Sequence, residues 1–470
     1  MTDLRVDLTR ASATDLGALY RTGQASPIDA TEQVLAVARI AGERHNAVSE
    51  LNEQGARAAA EASAARWRAG HPLSELDGIP VSVKDSFHVT GLARRHGSAV
   101  HEPVTSTSDS APVRRIVAAG GIVIAKTTMP DFGMLGSGIS SAYGTVTNPW
   151  NPAMTPGGSS SGAGVLLATG AGPLSLGTDI AGSVRLPAAH CGLVGFKPTQ
   201  GRIGYAPAST VRSAGPLART VDDLGLVLRV VGRPDAADIF SLPGVYESSS
   251  DRFDPAGLRV GLVTSMGIGM APGREEADAA QAVARMFSVA GTSVEPVAIG
   301  LDGRDDRALR TVFAMRGALE LHGVSAERRG LLPPSIAELI EPTYDLSALA
   351  YARALDRVEV GRETVRSALA AFDLIITPAV SVAAFAAELP APAGAESTLA
   401  HAQFLAWFNQ TGQPAGVVPL GLNEEGMPIG AQLVGQRGHD ALVIAAMRWV
   451  ESNTSPLPFP FIGSTSGGDE

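Results

Sequence analysis

Cysteine is almost missing from this 470-residue sequence. The single Cys191 has no partner for an intrachain disulfide, and no Cys-x-x-Cys or His-plus-Cys cluster offers a structural zinc site. A reducing, cytoplasmic setting is therefore expected. Charge is sparse as well: 18% of residues are charged, and 37 Lys plus Arg against 47 Asp plus Glu leave a formal charge of -10. Without a basic run or an RNA-binding motif, no direct nucleic-acid ligand is expected. No apolar stretch approaches the roughly 20 residues that cross a bilayer. The opening MTDLRVDLTRASATDL has neither a basic n-region nor an apolar h-region, so no membrane association is expected. Internal repeats are absent too.

What is present looks like a soluble enzyme: 45% of residues are hydrophobic, and apolar runs punctuate even the Gly- and Ser-rich stretches. The N-terminal part, 1–70, reads as helical. Pro27 stands at a helix N1 position after Ser26, and a second Ala-rich helix is expected over Glu53 to Arg68. Strand-like runs then alternate with helix-like ones: IPVSV at 79–83, a helix near Ala111 to Ala119, IVIA at 122–125, and a helix entering near Ser161. Alternation of this kind predicts an α/β layered fold. Residues 235–255 read as a surface connection. GLRVGLVTS then forms a strand, Glu275 to Ala290 a helix, and the stretch from Thr311 to Phe372 is mostly helical. FDLIITPA and AGVVPLGL predict buried strands sharing the same sheet, before an NEEGMP turn and a last helix over Asp440 to Glu451. The terminal GSTSGGDE reads as a frayed tail.

Two clusters carry candidate chemistry. PGGSSSGAG at 156–164 leads into a helix-like run, so hydroxyls and backbone N–H groups can converge at a helix start. In GTDIAGSVRLP at 177–187, small residues before Ser183 leave room for a carbonyl to reach the backbone, as an oxyanion hole requires. Lys84 ends the apolar run of GIPVSVKDS. Burial there would lower its pKa and turn it into a general base, opening the Ser-Lys variant of nucleophilic catalysis. GSSSG at 158–162 also fits a G-x-S-x-G pattern around Ser160, but the Pro-rich TNPWNPAMTP before it is not the strand a nucleophile elbow needs. The cluster lacks the Lys-Ser/Thr ending of a phosphate loop. His88, His96, His101 and His190 show no metal-ligand spacing.

Together GIPVSVKD at 78–85, NPWNPAMTPGGSSSGAG at 148–164, GTDIAGSVRLPAAHCGLVGFKPTQGRI at 177–203, GPLARTVDDL at 215–224 and TGQPAGVVPLGLNEEGMPIGAQLVG at 411–435 resemble the amidase signature enzymes. The resemblance implies a single domain over 1–470, with a signature core at 76–228, a divergent and substrate-determining 235–370, and closing strands and helix at 372–452. It also implies a mixed, twisted sheet of about eleven strands covered by helices on both faces. A Ser-cisSer-Lys triad carries over to Lys84, Ser159 and Ser183; the 24-residue interval between the two serines selects Ser159 over its neighbours. Ala181 and Ser161 stand where Gly is frequent, and Ala163 where Ser is common, all small changes that leave backbone N–H groups in place.

The implied cycle has neutral Lys84 take a proton, through Ser159, from Ser183, which attacks the substrate carbonyl. Backbone N–H groups of Ile180, Ala181, Gly182 and Ser183 would hold the oxyanion. Gly133 and Met134 are expected near the acyl pocket, Asp179 and Arg185 to pair and brace the nucleophile loop, and the Thr178 hydroxyl to support it. Cys191 is read as a packed small side chain. No cofactor and no metal is called for. The expected partner is a small molecule bearing an amide, anilide, hydrazide, ureide or carbamate, and the family leaves room for a homodimer. Two further readings stand beside the stand-alone hydrolase: the glutaminase subunit of a tRNA-dependent amidotransferase, and a catalytically silent binding scaffold.

Overall fold

Short Val-, Ile- and Leu-rich runs, too short for helices and apolar on both faces, become the strands of the sheet. The computed structural model describes residues 7–248 and 253–460. The expected tail from Gly463, and part of the connection at 235–255, lie outside the described residues.

Among the described residues, eleven strands form one sheet in the order Val48–Leu51, Ile122–Thr127, Pro80–Lys84, Leu174–Asp179, Ser213–Ala218, Val194–Lys197, Ala415–Leu422, Pro428–Gly435, Leu374–Pro378, Arg259–Leu262 and Ser293–Pro296. Pairing is mixed. Ile122–Thr127, Pro80–Lys84 and Leu174–Asp179 run parallel, as do Leu374–Pro378, Arg259–Leu262 and Ser293–Pro296, while the strands between these two groups pair antiparallel. The strands of the signature core and of the C-terminal segment meet where Val194–Lys197 pairs with Ala415–Leu422.

The helices follow the sequence reading closely. Pro27–His45 starts at Ser26, whose side chain accepts from the Asp29 N–H in a capping box, and ends on Asn46 in the left-handed region. Glu53–Arg68, Ala111–Ala118, Ser161–Thr169, Arg274–Val289 and Asp440–Ser452 fall within a residue or two of expectation. The stretch before the strand Leu374–Pro378 is built from Gly303–Glu320, Ala326–Arg329, Pro334–Ile340 and Ala348–Leu369. Among the described residues, no helix is long and apolar enough to cross a membrane.

Packing places this helical layer over the loops that end the signature strands. Phe132, Met134 and Leu135 share a buried cluster with Phe313, Ile336 and Ile340, and Ile180 and Ala181 pack on its edge. Gly317 lets the helix approach, since a Cβ there would sit 3.0 Å from Met134 Cε. This helical layer therefore packs over the 132–135 segment and against the second Gly-Ser cluster.

Candidate active site

Lys84 ends the strand Pro80–Lys84, all five of whose residues are buried. Its strand neighbour Leu174–Asp179 runs parallel and delivers the nucleophile loop to the same end of the sheet. The helix Ser161–Thr169 brings the first Gly-Ser cluster there, and every residue of that helix is buried. The three expected side chains thus converge from segments nearly 100 positions apart because parallel strands end on one edge.

At that edge Lys84 Nζ lies 2.8 Å from Ser159 Oγ and 3.4 Å from the carbonyl oxygen of Thr178. The Gly158–Ser159 peptide bond is cis. Ser159 and Ser183 line one chamber of about 320 Å³, and the Ser160 N–H donates to the Ser183 carbonyl at 3.2 Å, tying the two loops together. Burial drives Lys84 down to about 7, against the opposing pull of the Asp179 and Asp85 charges. No carboxylate forms an ion pair with it among the described residues. Near pH 7 a neutral fraction of the amine is therefore available.

Asp179 and Arg185 do pair, as expected, with both side chains fully buried. Arg185 Nε and one terminal nitrogen donate to the two Asp179 oxygens at 3.0 and 2.9 Å. The carboxylate also accepts the N–H of Gly182 at 2.8 Å and of Val184 at 3.1 Å. Burial pushes the Asp179 pKa up, but the Arg185 charge and its hydrogen bonds prevail and hold it well below the usual carboxylate range.

This bracing corrects one expectation. The Gly182 N–H, counted among the oxyanion donors, is directed into the loop at Asp179, whereas Ile180, Ala181 and Ser183 have N–H groups with no acceptor among the described residues. Gly182 instead supplies conformation. Its φ is +112°, and an added Cβ would lie 2.5 Å from Leu405. The Thr178 carbonyl meets Lys84, and its hydroxyl lies 3.4 Å from that of Ser86. Gly133 and Met134 line the chamber. A Cβ on Gly133, whose φ is +74°, would stand 3.0 Å from Ser159 Oγ, so the chain passes directly beside that hydroxyl.

The alternatives recede in the structure. Ser160 Oγ is buried without a hydrogen-bond partner, and a loop precedes it. Cys191 is fully enclosed and donates to the Pro156 carbonyl, and burial pushes its thiol up. His190 is buried against Phe385, away from the chamber lining.

Sequence reading missed the outer brace. Arg185 also donates to Gln432 Oε1 and Asn409 Oδ1, both at 2.7 Å, and Asn409 in turn donates to the Asp179 carbonyl at 2.9 Å. Asn409 lies just before the TGQP of the last quoted motif, and Gln432 lies inside that motif. Their polar side chains in otherwise apolar buried runs were the available signal. It also missed Lys197, fully buried and driven to about 7 by burial and by the Arg185 charge, which donates to the Pro198 carbonyl at 3.0 Å.

Comparison with known proteins matches the chain over most of its length. The Amidase family profile matches residues 29–444. A glutamyl-tRNA(Gln) amidotransferase subunit from Anaeromyxobacter sp. (strain K) is 31% identical, over 97% of this chain and 98% of its own length. An acylamidase of Rhodococcus erythropolis is 30% identical over 92% and 93%. Among solved structures, a bacterial aryl acylamidase of the amidase signature enzymes superposes with a TM-score of 0.85 at 25% identity, covering 94% of this chain and 97% of that one.

Proposed function

This chain belongs to the Amidase family, and on that footing we propose that it is a stand-alone hydrolase that cleaves a linear amide-type C–N bond through an acyl-enzyme on Ser183. The observation that supports this most directly is the buried Lys84, free of a carboxylate partner and hydrogen-bonded to Ser159 in the chamber that Ser183 lines.

In the proposed cycle, neutral Lys84 Nζ accepts the Ser159 proton as Ser159 accepts that of Ser183. Ser183 Oγ forms a bond to the substrate carbonyl carbon, and the carbonyl π pair moves onto oxygen. The unused N–H groups of Ile180, Ala181 and Ser183 face this charge; one such donor is worth about 100- to 1000-fold in rate. Collapse breaks the C–N bond while the proton returns through Ser159 to the leaving nitrogen, releasing ammonia or an amine. Water then attacks the ester, delivering its proton along the same path, and frees a carboxylic acid and Ser183. Asp179 and Arg185 hold the loop's shape and do not exchange protons.

The amidotransferase relatives support a second reading, a glutaminase that works together with partner subunits. The acylamidase likenesses favour the first. Purified, unpartnered protein is assayed for ammonia or amine release from primary amides, anilides, hydrazides, ureides and glutamine, with Ser183→Ala as control. Cleavage of a non-glutamine substrate that disappears in the variant is the expected result. Release from glutamine alone transfers the conclusion to the amidotransferase reading.

A further inference from the structure

The chamber holding Ser159 and Ser183 is also lined by Arg94, Arg212 and Arg316, with Glu320 as the lone carboxylate of its lining among the described residues. These arginines come from separate parts of the chain: a two-residue strand of the signature core, the loop before Ser213–Ala218, and the helix Gly303–Glu320 of the divergent layer. Convergence of three positive groups on an enclosed space is costly unless something negative is there to meet them.

Negative groups near them, Asp85 and Glu320, meet that need only through space. Among the described residues none of the three forms an ion pair. Arg94 Nε donates to the Ser86 carbonyl at 3.0 Å, and Arg212 donates to the Pro207 carbonyl and stacks over Tyr205 at 4.9 Å. Arg212 Nε is buried without an acceptor among the described residues. The Arg316 guanidinium has no hydrogen bond among the described residues. Burial lowers the pKa of both Arg94 and Arg316, and the Arg212 charge lowers each further, while Asp85 and Glu320 oppose this in part at Arg94 and Glu320 at Arg316.

We infer that the hydrolysed amide carries a carboxylate, seated by Arg212 and Arg316 with Arg94 beside them, so that the enzyme selects small ω-amido acids over neutral amides. The inference rests on the hydrolase reading above for the position of the scissile bond, but the anion site itself rests on the arginines. A planar carboxylate matches the paired donors of guanidinium and would satisfy the Arg212 Nε and the Arg316 nitrogens at once. A chamber of about 320 Å³ suits a short dicarboxylic monoamide. The Glu320 carboxylate, on an exposed residue at the chamber's lining, disfavours a second negative group there.

Initial rates for succinamate, glutaramate and adipamate are compared with those of the matching neutral diamides. We expect kcat/KM to be at least about 10-fold higher for one of the monoamide acids, since a charge-assisted pair is worth that factor or more. Arg212→Gln and Arg316→Gln should each reduce this preference by about 10-fold or more, with Arg316→Lys restoring part of it. Equal rates for acid and diamide, or a preference for the diamide, overturn the inference while leaving the hydrolase reading intact. If no amide is cleaved, the hydrolase reading fails, and calorimetry of glutarate with the Ser183→Ala protein decides the anion site separately: binding that is lost in Arg212→Gln and Arg316→Gln upholds it, and no binding overturns it. Glutamine is run beside glutaramate, and the better substrate of the two tells whether the carboxylate belongs to an α-amino acid or to a simple monoamide.

Discussion

Lys84 and Lys126 sit on adjacent parallel strands, both with side chains entirely removed from solvent, yet their surroundings differ in kind. Lys126 Nζ meets Asp85 at 2.8 Å and the Ala93 carbonyl at 2.7 Å. Asp85 in turn accepts the N–H groups of Arg95 and Gly97 and the Tyr143 hydroxyl. Lys84 is offered a hydroxyl and a carbonyl instead. Burial alone does not make a base; Lys84 lacks a paired carboxylate and also has the Ser159 hydroxyl with which to exchange a proton. One lysine belongs to the scaffold, and the other is positioned to exchange a proton.

The largest effect that tests this contrast is on turnover. Lys84→Met should lower kcat/KM by about 10⁴-fold or more, as loss of a member of a catalytic unit does, while changing unfolding free energy by no more than about 1 kcal/mol, because no buried carboxylate is left unpaired. Activity assays and urea unfolding on the same preparation check both halves. Lys126→Met should behave in the opposite sense: Asp85 becomes an unpaired buried charge, and stability falls by about 3–5 kcal/mol. Equal stability losses in the two variants would end the distinction.

Smaller in size is the dependence on pH. Lys84, held at about 7 by burial, is protonated and unable to accept a proton below that value. The rate should therefore fall tenfold for each pH unit below about 7 and level off above it. A pH–rate profile of kcat/KM reads this directly, and an acid limb near 4 would point to a carboxylate base in its place. The smallest expected change is that of Thr178→Val. It removes only the 3.4 Å hydroxyl contact and keeps the carbonyl that faces Lys84, so kcat/KM should change by less than about threefold.

The contrast also shows what the residues alone disclosed. That Lys84, Ser159 and Ser183 come together was legible because three motifs agree, and the sheet because buried strands advertise themselves as apolar runs. Apolar patterning without the motif does not tell Lys84 from Lys126, both of which end or interrupt such runs, since the Asp85 pairing is a matter of which strand lies beside which. Nor could it see that the Gly182 N–H turns towards Asp179, which depends on loop dihedral angles. Arg94, Arg212 and Arg316 were lost for a related reason: a solvated arginine and one aimed into a chamber look identical until the fold brings distant segments together.

The brace on Arg185 has a further consequence for when the enzyme comes into being. Its partner Gln432 lies 247 residues downstream, a stretch that a ribosome takes roughly 12 to 50 s to add. A nascent chain therefore carries both serines and the lysine long before the loop that holds Ser183 can be locked. Shortening the chain from its C-terminal end by 40 residues removes Gln432, so such fragments should retain every proposed catalytic group and no working site.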